Sequence, residues 1–168
     1  MNKHVKSILV VVLWVFSVGV QASLIVPMHL TSDNGKGRKI GTIKVDDTVY
    51  GLLLTPKLHG LPPGVHGFHV HAMPMCEHAG MAAGGHLDPD KAQAHKGPYS
   101  NGHLGDLPLL SVDRNGKATL QVLAPRLHLS QIKGKALMVH VGGDNYSDKP
   151  EKLGGGGARL ACGLIPYH

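Results

Sequence analysis

The segment HGFHVHAMPMC, residues 66–76, places three histidines within six residues and ends on one of only two cysteines in the chain. Side chains alternate between the two faces of a β-strand, so residues two apart point the same way. His69 and His71 therefore share one face, while Phe68 and Val70 lie on the other. The segment predicts a strand that presents two imidazoles, within reach of a single metal ion, on one side.

The chain after residue 22 consists of short β-like runs separated by turns. The runs rich in Val, Ile, Leu and Thr are SLIVPMHL, KIGTIKV, TVYGLLL, VHGFHVH, KATLQVL and KALMVHV. Turn sequences such as DNGKGR and DRNG separate several of them, and no segment of ten or more residues has a convincing 3.6-residue period. This pattern predicts an all-β antiparallel sandwich or barrel.

Two long stretches do not fit strands, and we name them by composition. The histidine loop (residues 72–110) is rich in Gly and His, and the glycine loop (residues 142–158) is rich in Gly and charged residues. Loops of this length are uncommon unless they are disordered or functional. The histidine loop contains four of the thirteen histidines, which indicates that metal holds it in place.

The histidine loop offers four candidate metal ligands within 21 residues. They are His86, His95, His103 and Asp106. Three imidazoles with one carboxylate suit tetrahedral Zn²⁺. An all-imidazole set of His69, His71 and the remote His140 favours copper or zinc over magnesium or calcium. Two four-coordinate sites need eight ligands and seven are present, so either one ligand is shared or one site keeps an open position.

The first 22 residues have the pattern of a secretory signal peptide, which leaves residues 23–168 as one domain. Lys3 and Lys6 precede an apolar run of thirteen residues, and small residues occupy the end of a cleavage site at Ala22. The run is shorter than the roughly 20 residues of a membrane span, although an uncleaved anchor is the alternative interpretation. We expect no membrane association after cleavage.

Export to an oxidising compartment bears on the two cysteines. Cys76 and Cys162 are expected to form one disulfide, with two free buried thiols as the alternative. Loss of Lys3 and Lys6 lowers the net charge from +6 to +4, and the remaining basic residues form no run. One Phe and four Tyr remain, which is too few for a base-stacking platform, so nucleic-acid binding is not expected.

The chain resembles the copper/zinc superoxide dismutases, specifically their periplasmic bacterial branch. The resemblance covers essentially all of residues 23–168, and its most specific motifs are GFHVH, HLGDLP and GGGGARLACG. It implies an eight-stranded antiparallel Greek-key sandwich or barrel, with the metals held outside it by two long loops. It also implies that Cys76 and Cys162 form the intrasubunit disulfide.

The resemblance further implies one copper and one zinc per subunit. The implied copper ligands are His69, His71, His86 and His140. The implied zinc ligands are His86, His95, His103 and Asp106. In this assignment His86 is a deprotonated imidazole that bridges both metals, which accounts for a count of seven ligands.

Three further residues receive roles from the same resemblance. Arg159 matches the family's active-site arginine, which together with His86 forms the implied catalytic pair. Asp144 matches a carboxylate that links a copper ligand to a zinc ligand through hydrogen bonds. His66, at odd spacing from the histidine pair and so expected on the opposite face, fits a structural histidine that braces loop backbone.

The implied activity is an antioxidant one: two superoxide anions and two protons become dioxygen and hydrogen peroxide in the periplasm. The modest positive charge suits a small anionic substrate. Two alternatives are a non-catalytic copper/zinc carrier with the same fold and a structural zinc protein with vestigial copper residues. The fold allows both a monomer and a homodimer.

Overall fold

The computed structural model describes residues 23–35 and 37–167, which form nine β-strands and one short α-helix. The elements are β1 (Ser23–Leu30), β2 (Lys39–Thr48), β3 (Gly51–Leu58), β4 (Gly64–His66), β5 (Phe68–His71), β6 (Leu110–Val112), β7 (Val122–Ala124), α1 (Leu129–Ile132), β8 (Ala136–His140) and β9 (Arg159–Leu164). Within this part of the chain, no helix has the length and apolar character needed to cross a membrane. The predicted signal peptide, residues 1–22, lies outside the described residues.

Seven strands form one antiparallel sheet in the order β5-β8-β9-β1-β2-β3-β7, and β4 pairs with β6 in a second sheet. The all-β antiparallel fold class is therefore confirmed. The count of nine strands, against the eight expected, reflects a break in the predicted run VHGFHVH at Gly67. There the backbone turns to other partners: Gly67 donates its N–H to Gly142 O at 2.8 Å and accepts from His140 N at 2.8 Å.

The run TVYGLLL, predicted as one strand, is a tight hairpin between β2 and β3. The Thr48 hydroxyl accepts the N–H of Tyr50 at 3.0 Å and donates to Gly51 O at 2.7 Å. Gly51 has a φ of +106°, which glycine adopts far more readily than other residues. Val49 and Tyr50 at the tip are 89% and 74% exposed, so their strand-like composition does not reflect burial.

The sequence pattern predicted two further strands, β7 and β9, incorrectly. Only the last part of KATLQVL forms β7, and Ala118 makes an isolated bridge to Leu58 instead. Strand β9 was not among the predicted runs, although it occupies the middle of the sheet between β8 and β1. Its sequence RLACGL alternates poorly because its central residues are all buried.

Strand β5 positions the site because its two faces have different surroundings. Phe68 and Val70 are fully buried members of the main apolar cluster, whereas His69 and His71 lie outside that cluster. Burial of each such apolar side chain contributes about 1.5–3 kcal/mol. The predicted division of faces is confirmed, and the histidines owe their placement to the apolar residues between and beside them.

A disulfide joins Cys76 and Cys162, with Cα atoms 5.9 Å apart and a sequence separation of 86 residues. This confirms the predicted pairing. It fastens the start of the histidine loop to β9, two elements that are remote in sequence. Both cysteines are buried in a small cluster with Ala83, Ala136 and Met138.

Replacing both cysteines, in Cys76→Ser/Cys162→Ser, is expected to lower the free energy of unfolding of the metal-free protein by about 2–4 kcal/mol. The reason is that an 86-residue loop is no longer closed in the unfolded chain. Urea denaturation of residues 23–168 measures the change. As a control, dithiothreitol should destabilise the parent and leave the double variant unaffected. Equal urea midpoints for the two proteins would contradict the prediction.

Candidate metal centre

Three histidines converge from two neighbouring strands. His69 and His71 lie on β5, and His140 ends β8, which pairs with β5 in antiparallel register. The imidazole centroids of His69 and His140 are 4.9 Å apart, and those of His71 and His140 are 5.6 Å apart. All three side chains are buried. Strand pairing alone thus brings together residues that are about 70 positions apart in the chain.

The histidine loop supplies the fourth imidazole by pairing with the free edge of β5. Leu87 donates its N–H to Val70 O at 2.8 Å, and Val70 donates to Gly105 O at 2.8 Å. This pairing sets His86 directly opposite His71. A side chain at Gly105 would come within 2.3 Å of Val70 O, so the close approach requires glycine here.

Four imidazole nitrogens in this cluster lack a hydrogen-bond partner. The atoms are Nδ1 of His69, Nε2 of His71, Nε2 of His86 and Nε2 of His140. The four residues offer ligand atoms that all lie within 4.8 Å of one another. A buried polar atom without a partner costs about 1–3 kcal/mol, so their convergence indicates a ligand from outside the polypeptide. Imidazole nitrogen is a donor that copper and zinc prefer, and the residues fit such an ion.

Hydrogen bonds on the far side of each ring fix which nitrogen carries the lone pair. His71 donates from Nδ1 to Gly84 O at 2.9 Å, and His140 donates from Nδ1 to Gly157 O at 3.1 Å. A carbonyl oxygen can only accept, so both Nδ1 atoms carry hydrogen. In the neutral rings the Nε2 lone pairs are then free and directed toward the cluster.

A second group of ligand atoms adjoins the first. The residues whose ligand atoms lie within 4.8 Å of one another are His69, His86, His95 and Asp106. Asp106 is buried at the centre of this group, with Oδ1 2.9 Å from His86 Nδ1 and Oδ2 3.0 Å from His95 Nδ1. Three of the four predicted zinc ligands are thus brought together.

The fourth predicted zinc ligand, His103, lies at the margin of this group. Its Nδ1 is buried without a hydrogen-bond partner and lies 3.5 Å from Asp106 Oδ1. His69 appears in its place because its ring stacks on His86, with centroids 3.9 Å apart. However, the Nε2 of His69 already donates to Asp144 Oδ2 at 2.9 Å. The remaining nitrogen of His69, Nδ1, already belongs to the first group, whereas the unpartnered Nδ1 of His103 is not part of that group.

Asp144 connects the two groups. Its Oδ2 accepts from His69 Nε2, and its Oδ1 lies 2.7 Å from His95 Nε2. The Asp144 side chain is only 1% exposed. These are the hydrogen bonds implied for Asp144 by the family resemblance, and they orient one imidazole of each group.

Burial keeps the first group uncharged. It lowers the pKa of His69 to about 3, that of His71 to about 2 and that of His140 to about 4, with repulsion between neighbouring rings acting in the same direction. Burial also lowers the pKa of His86. At neutral pH these rings are free of the proton that would compete with a metal ion.

The pKa of His95 is shifted in the opposite direction. Burial alone would lower its pKa, but the carboxylates of Asp106 and Asp144 outweigh this and raise the pKa of His95 to about 9. Burial likewise opposes ionisation of the two carboxyls, yet hydrogen bonds from the histidines hold the pKa of each well below its usual range. The second group therefore carries a proton on His95 when no metal is bound.

Arg159 stands beside the first group. It is the first residue of β9 and lies opposite His140 in the pairing with β8. Its guanidinium donates to the carbonyl oxygens of Gly80 and Gly84 in the histidine loop. Gly84 O also accepts from His71, so a single carbonyl orients both an imidazole and the guanidinium.

His66 belongs to neither group. Its two ring nitrogens lie 2.8 Å from His140 O and 2.9 Å from Pro62 O. It thus ties the turn before β4 to the end of β8, in agreement with the bracing role expected for it. The remaining predicted site residues all lie within the two groups or in contact with them.

Sequence reasoning missed the backbone acceptors Gly84 and Gly157, because a carbonyl position has no residue signature. It also missed the role of Gly154, where a Cβ atom would stand 1.9 Å from Asp144 Oδ1. The run of four glycines at 154–157 was the available signal. These glycines allow the backbone to pack directly against the buried carboxylate.

Comparisons with known proteins agree on one family. The sequence model of the copper/zinc superoxide dismutases matches residues 39–165. The Cu-Zn superoxide dismutase of Escherichia coli strain K12 is 52% identical over 161 residues, which cover 90% of this chain and 93% of that protein.

Solved structures give the same result. Cu/Zn superoxide dismutase from Brucella abortus superposes with a TM-score of 0.82 at 48% identity, covering 86% of this chain and 99% of that one. The monomeric copper, zinc superoxide dismutase from Salmonella enterica gives a TM-score of 0.77 at 54% identity, with the same coverage of 86% and 99%.

Substitution of Asp144 by Asn is expected to weaken zinc binding by the metal-free protein about 10–100-fold. The amide cannot accept hydrogen bonds at both ends, so either His69 or His95 loses its orienting partner. Competition against a chromophoric chelator measures the affinity. Asp90→Asn, an exposed substitution in the histidine loop, is the matched control and should bind zinc like the parent. Parent-like affinity in Asp144→Asn would refute the role of this carboxylate.

Zinc uptake is expected to release about one proton per ion below pH 9, because His95 must lose the proton at Nδ1 before it can bind. The apparent affinity should therefore rise about tenfold per pH unit between pH 6 and 8 and level off above pH 9. Calorimetric titrations in buffers of different ionisation enthalpy count the protons. An affinity that does not change over this pH range would show that His95 is already neutral.

Proposed function

The chain belongs to the copper/zinc superoxide dismutase family, and we propose that His86 and Arg159 are the residues with which it carries out that family's reaction. The protein is an oxidoreductase that converts two superoxide anions and two protons into dioxygen and hydrogen peroxide. The observation that carries this conclusion is the convergence of four unpartnered, buried imidazole nitrogens beside a fixed guanidinium.

We propose that two metal ions occupy the two groups. His69, His71, His86 and His140 hold copper through the unpartnered nitrogens. His86, His95, His103 and Asp106 hold zinc. His86 can serve both because its Nε2 belongs to the first group while its Nδ1 faces Asp106 in the second.

Copper, when bound, supplies the one-electron redox chemistry of both half-reactions, and zinc supplies charge and order without changing oxidation state. The protein supplies the remaining steps. His69, His71 and His140 are kept neutral, so these three rings can receive the metal without releasing protons. Asp144 and the carbonyls of Gly84 and Gly157 hold three of those rings in place.

Arg159 is proposed to attract superoxide and orient it beside the first group. The substrate is a small anion, and a fixed cation at the mouth of a cleft can raise association rates by roughly 10–10³. The guanidinium is held by Gly80 O and Gly84 O, so its charge stays next to His140 and does not swing into solvent. The attraction should weaken as salt screens it.

His86 is proposed to carry a proton at Nε2 to the reduced product. This atom is buried and has no partner within the polypeptide, whereas Nδ1 of the same ring contacts Asp106. Nε2 is therefore free to accept a proton from solvent and to pass it to the basic peroxide. The second proton of the reaction comes from solvent.

We further propose that residues 1–22 are removed on export and that residues 23–168 act in the periplasm. The leader pattern supports export, and the Cys76–Cys162 disulfide fits an oxidising compartment. A non-catalytic copper/zinc carrier remains the alternative function. Such a protein needs the imidazoles but has no use for a guanidinium fixed beside them.

Substitution of Arg159 by Glu is expected to lower copper-dependent superoxide dismutation at least tenfold while both metals remain bound, because the anion is then repelled from the site. Stopped-flow decay of superoxide measures the rate, and elemental analysis measures the metals. The parent protein should be active with copper plus zinc, inactive with zinc alone, and slower at high ionic strength.

Arg114→Glu is the matched control, since it makes the same change of charge at an exposed turn between β6 and β7. It should retain most of the parent activity. Equal rates for Arg159→Glu and the parent would remove the steering role. If the parent protein binds both metals stoichiometrically but shows no turnover, the carrier function is supported and the enzyme function is refuted.

A further inference from the structure

The two long loops are joined by one aromatic side chain that no metal assignment includes. Tyr146 belongs to the glycine loop, is half-buried, and packs its ring against Gly97 of the histidine loop. A Cβ atom at Gly97 would lie 2.7 Å from Cγ and Cδ1 of Tyr146, so the ring occupies the space that any other residue would need. Its hydroxyl oxygen accepts the N–H of Leu109 at 3.0 Å. Tyr146 is thus fastened to the histidine loop at two separate points.

The backbone of Tyr146 has a conformation that bulky residues rarely adopt. Its φ is +57°, in the left-handed region. Such residues persist only where the surroundings enforce them. In this conformation the Tyr146 N–H donates to Oδ1 of Asp144 at 2.7 Å. The packing of the ring and the direction of the N–H are therefore two parts of one arrangement.

The acceptor of that N–H is the carboxylate that connects the two metal groups. Oδ1 of Asp144 also contacts His95 Nε2 at 2.7 Å, and Oδ2 accepts from His69 Nε2 at 2.9 Å. The N–H of Tyr146 is thus a third donor, which fixes the rotation of the carboxylate about its last bond. Gly154 also packs against Asp144, since a Cβ atom there would come within 1.9 Å of Oδ1.

We propose that Tyr146 is a positioning residue that sets the orientation of Asp144 and, through it, the geometry of both metal sites. The proposal rests on the metal assignment given above and adds a residue that touches neither metal nor substrate. The connection runs from Leu109 through the Tyr146 hydroxyl, ring and backbone N–H to Asp144. It continues from Asp144 to His69 in one group and His95 in the other.

A purely structural role for Tyr146 makes a different prediction. In that case its removal would loosen the loops and lower overall stability, but the bound metals would keep their parent-like environment. A positioning role instead changes zinc affinity and the electronic environment of copper together, because both depend on the angle of one carboxylate.

Tyr146→Ala removes both attachments to the histidine loop, and Tyr146→Phe removes only the hydroxyl. Zinc affinity of the metal-free protein is expected to fall about 10–100-fold in Tyr146→Ala. It should fall about 2–10-fold in Tyr146→Phe, where one hydrogen bond is lost and the ring still packs on Gly97. The electron paramagnetic resonance spectrum of Cu²⁺ in the copper- and zinc-loaded protein should change in the same order.

Tyr50→Ala is the matched control, because Tyr50 is 74% exposed in the β2–β3 hairpin. It should leave both the zinc affinity and the copper spectrum unchanged. The positioning role is supported if Tyr146→Phe retains more of the zinc affinity than Tyr146→Ala and if the copper spectrum changes in Tyr146→Ala.

Parent-like zinc affinity and a parent-like copper spectrum in Tyr146→Ala overturn the proposal, even if its thermal stability falls. If that variant does not fold, Tyr146→Phe decides alone: an unchanged affinity and spectrum overturn the proposal, and a shift in both supports it. These readouts do not use activity. A parent protein that binds both metals without turnover would therefore defeat the proposed function and leave the role of Tyr146 to be judged separately.

Discussion

Both groups of candidate metal ligands depend on the packing of strand β5 against the apolar core. Phe68 and Val70 are fully buried, and a shift of one residue in register would exchange them for His69 and His71. Both edges of the strand are occupied, by β8 on one side and by backbone of the histidine loop on the other. Because β5 cannot slide, every residue paired with it has a fixed position relative to the two imidazoles.

The energetic organisation of the site follows from this placement. The first group contains buried nitrogens without partners, which is unfavourable in the metal-free protein. The core and the Cys76–Cys162 disulfide offset that cost. Metal binding then restores partners to these atoms, so the site is preorganised at the expense of the stability of the metal-free form. The second group differs in carrying charge, with His95 and two carboxylates balancing one another.

Short apolar runs separated by turns were sufficient to predict the all-β class, strand parity the shared face of His69 and His71, and the export signal the disulfide. They could not locate the interruption at Gly67, because it depends on hydrogen bonds to distant backbone. They also could not locate the hairpin at Thr48–Gly51, because its residues have a strand-like composition and the turn depends on the Thr48 hydroxyl and a positive φ at Gly51. The assignment of ligands to two sites came from the family resemblance, since loop spacing says little about geometry.

The features of the site that could not be predicted from the sequence are of one physical kind. It consists of backbone atoms and close approaches, such as the carbonyls of Gly84 and Gly157 and the glycine packed on Asp144. These features depend on where the chain passes and not on which side chain it carries. His103 shows the same limit, because its place at the margin of the second group is set by loop conformation.

The shared acceptor at Gly84 has a consequence for protein engineering. One carbonyl oxygen orients both the imidazole of His71 and the guanidinium of Arg159. A redesign that moves this cation, for instance to admit a larger anion, would also change the surroundings of the carbonyl that orients His71. The position of the cation and the orientation of the His71 imidazole are therefore not independent in this scaffold, and a designer would have to adjust them together.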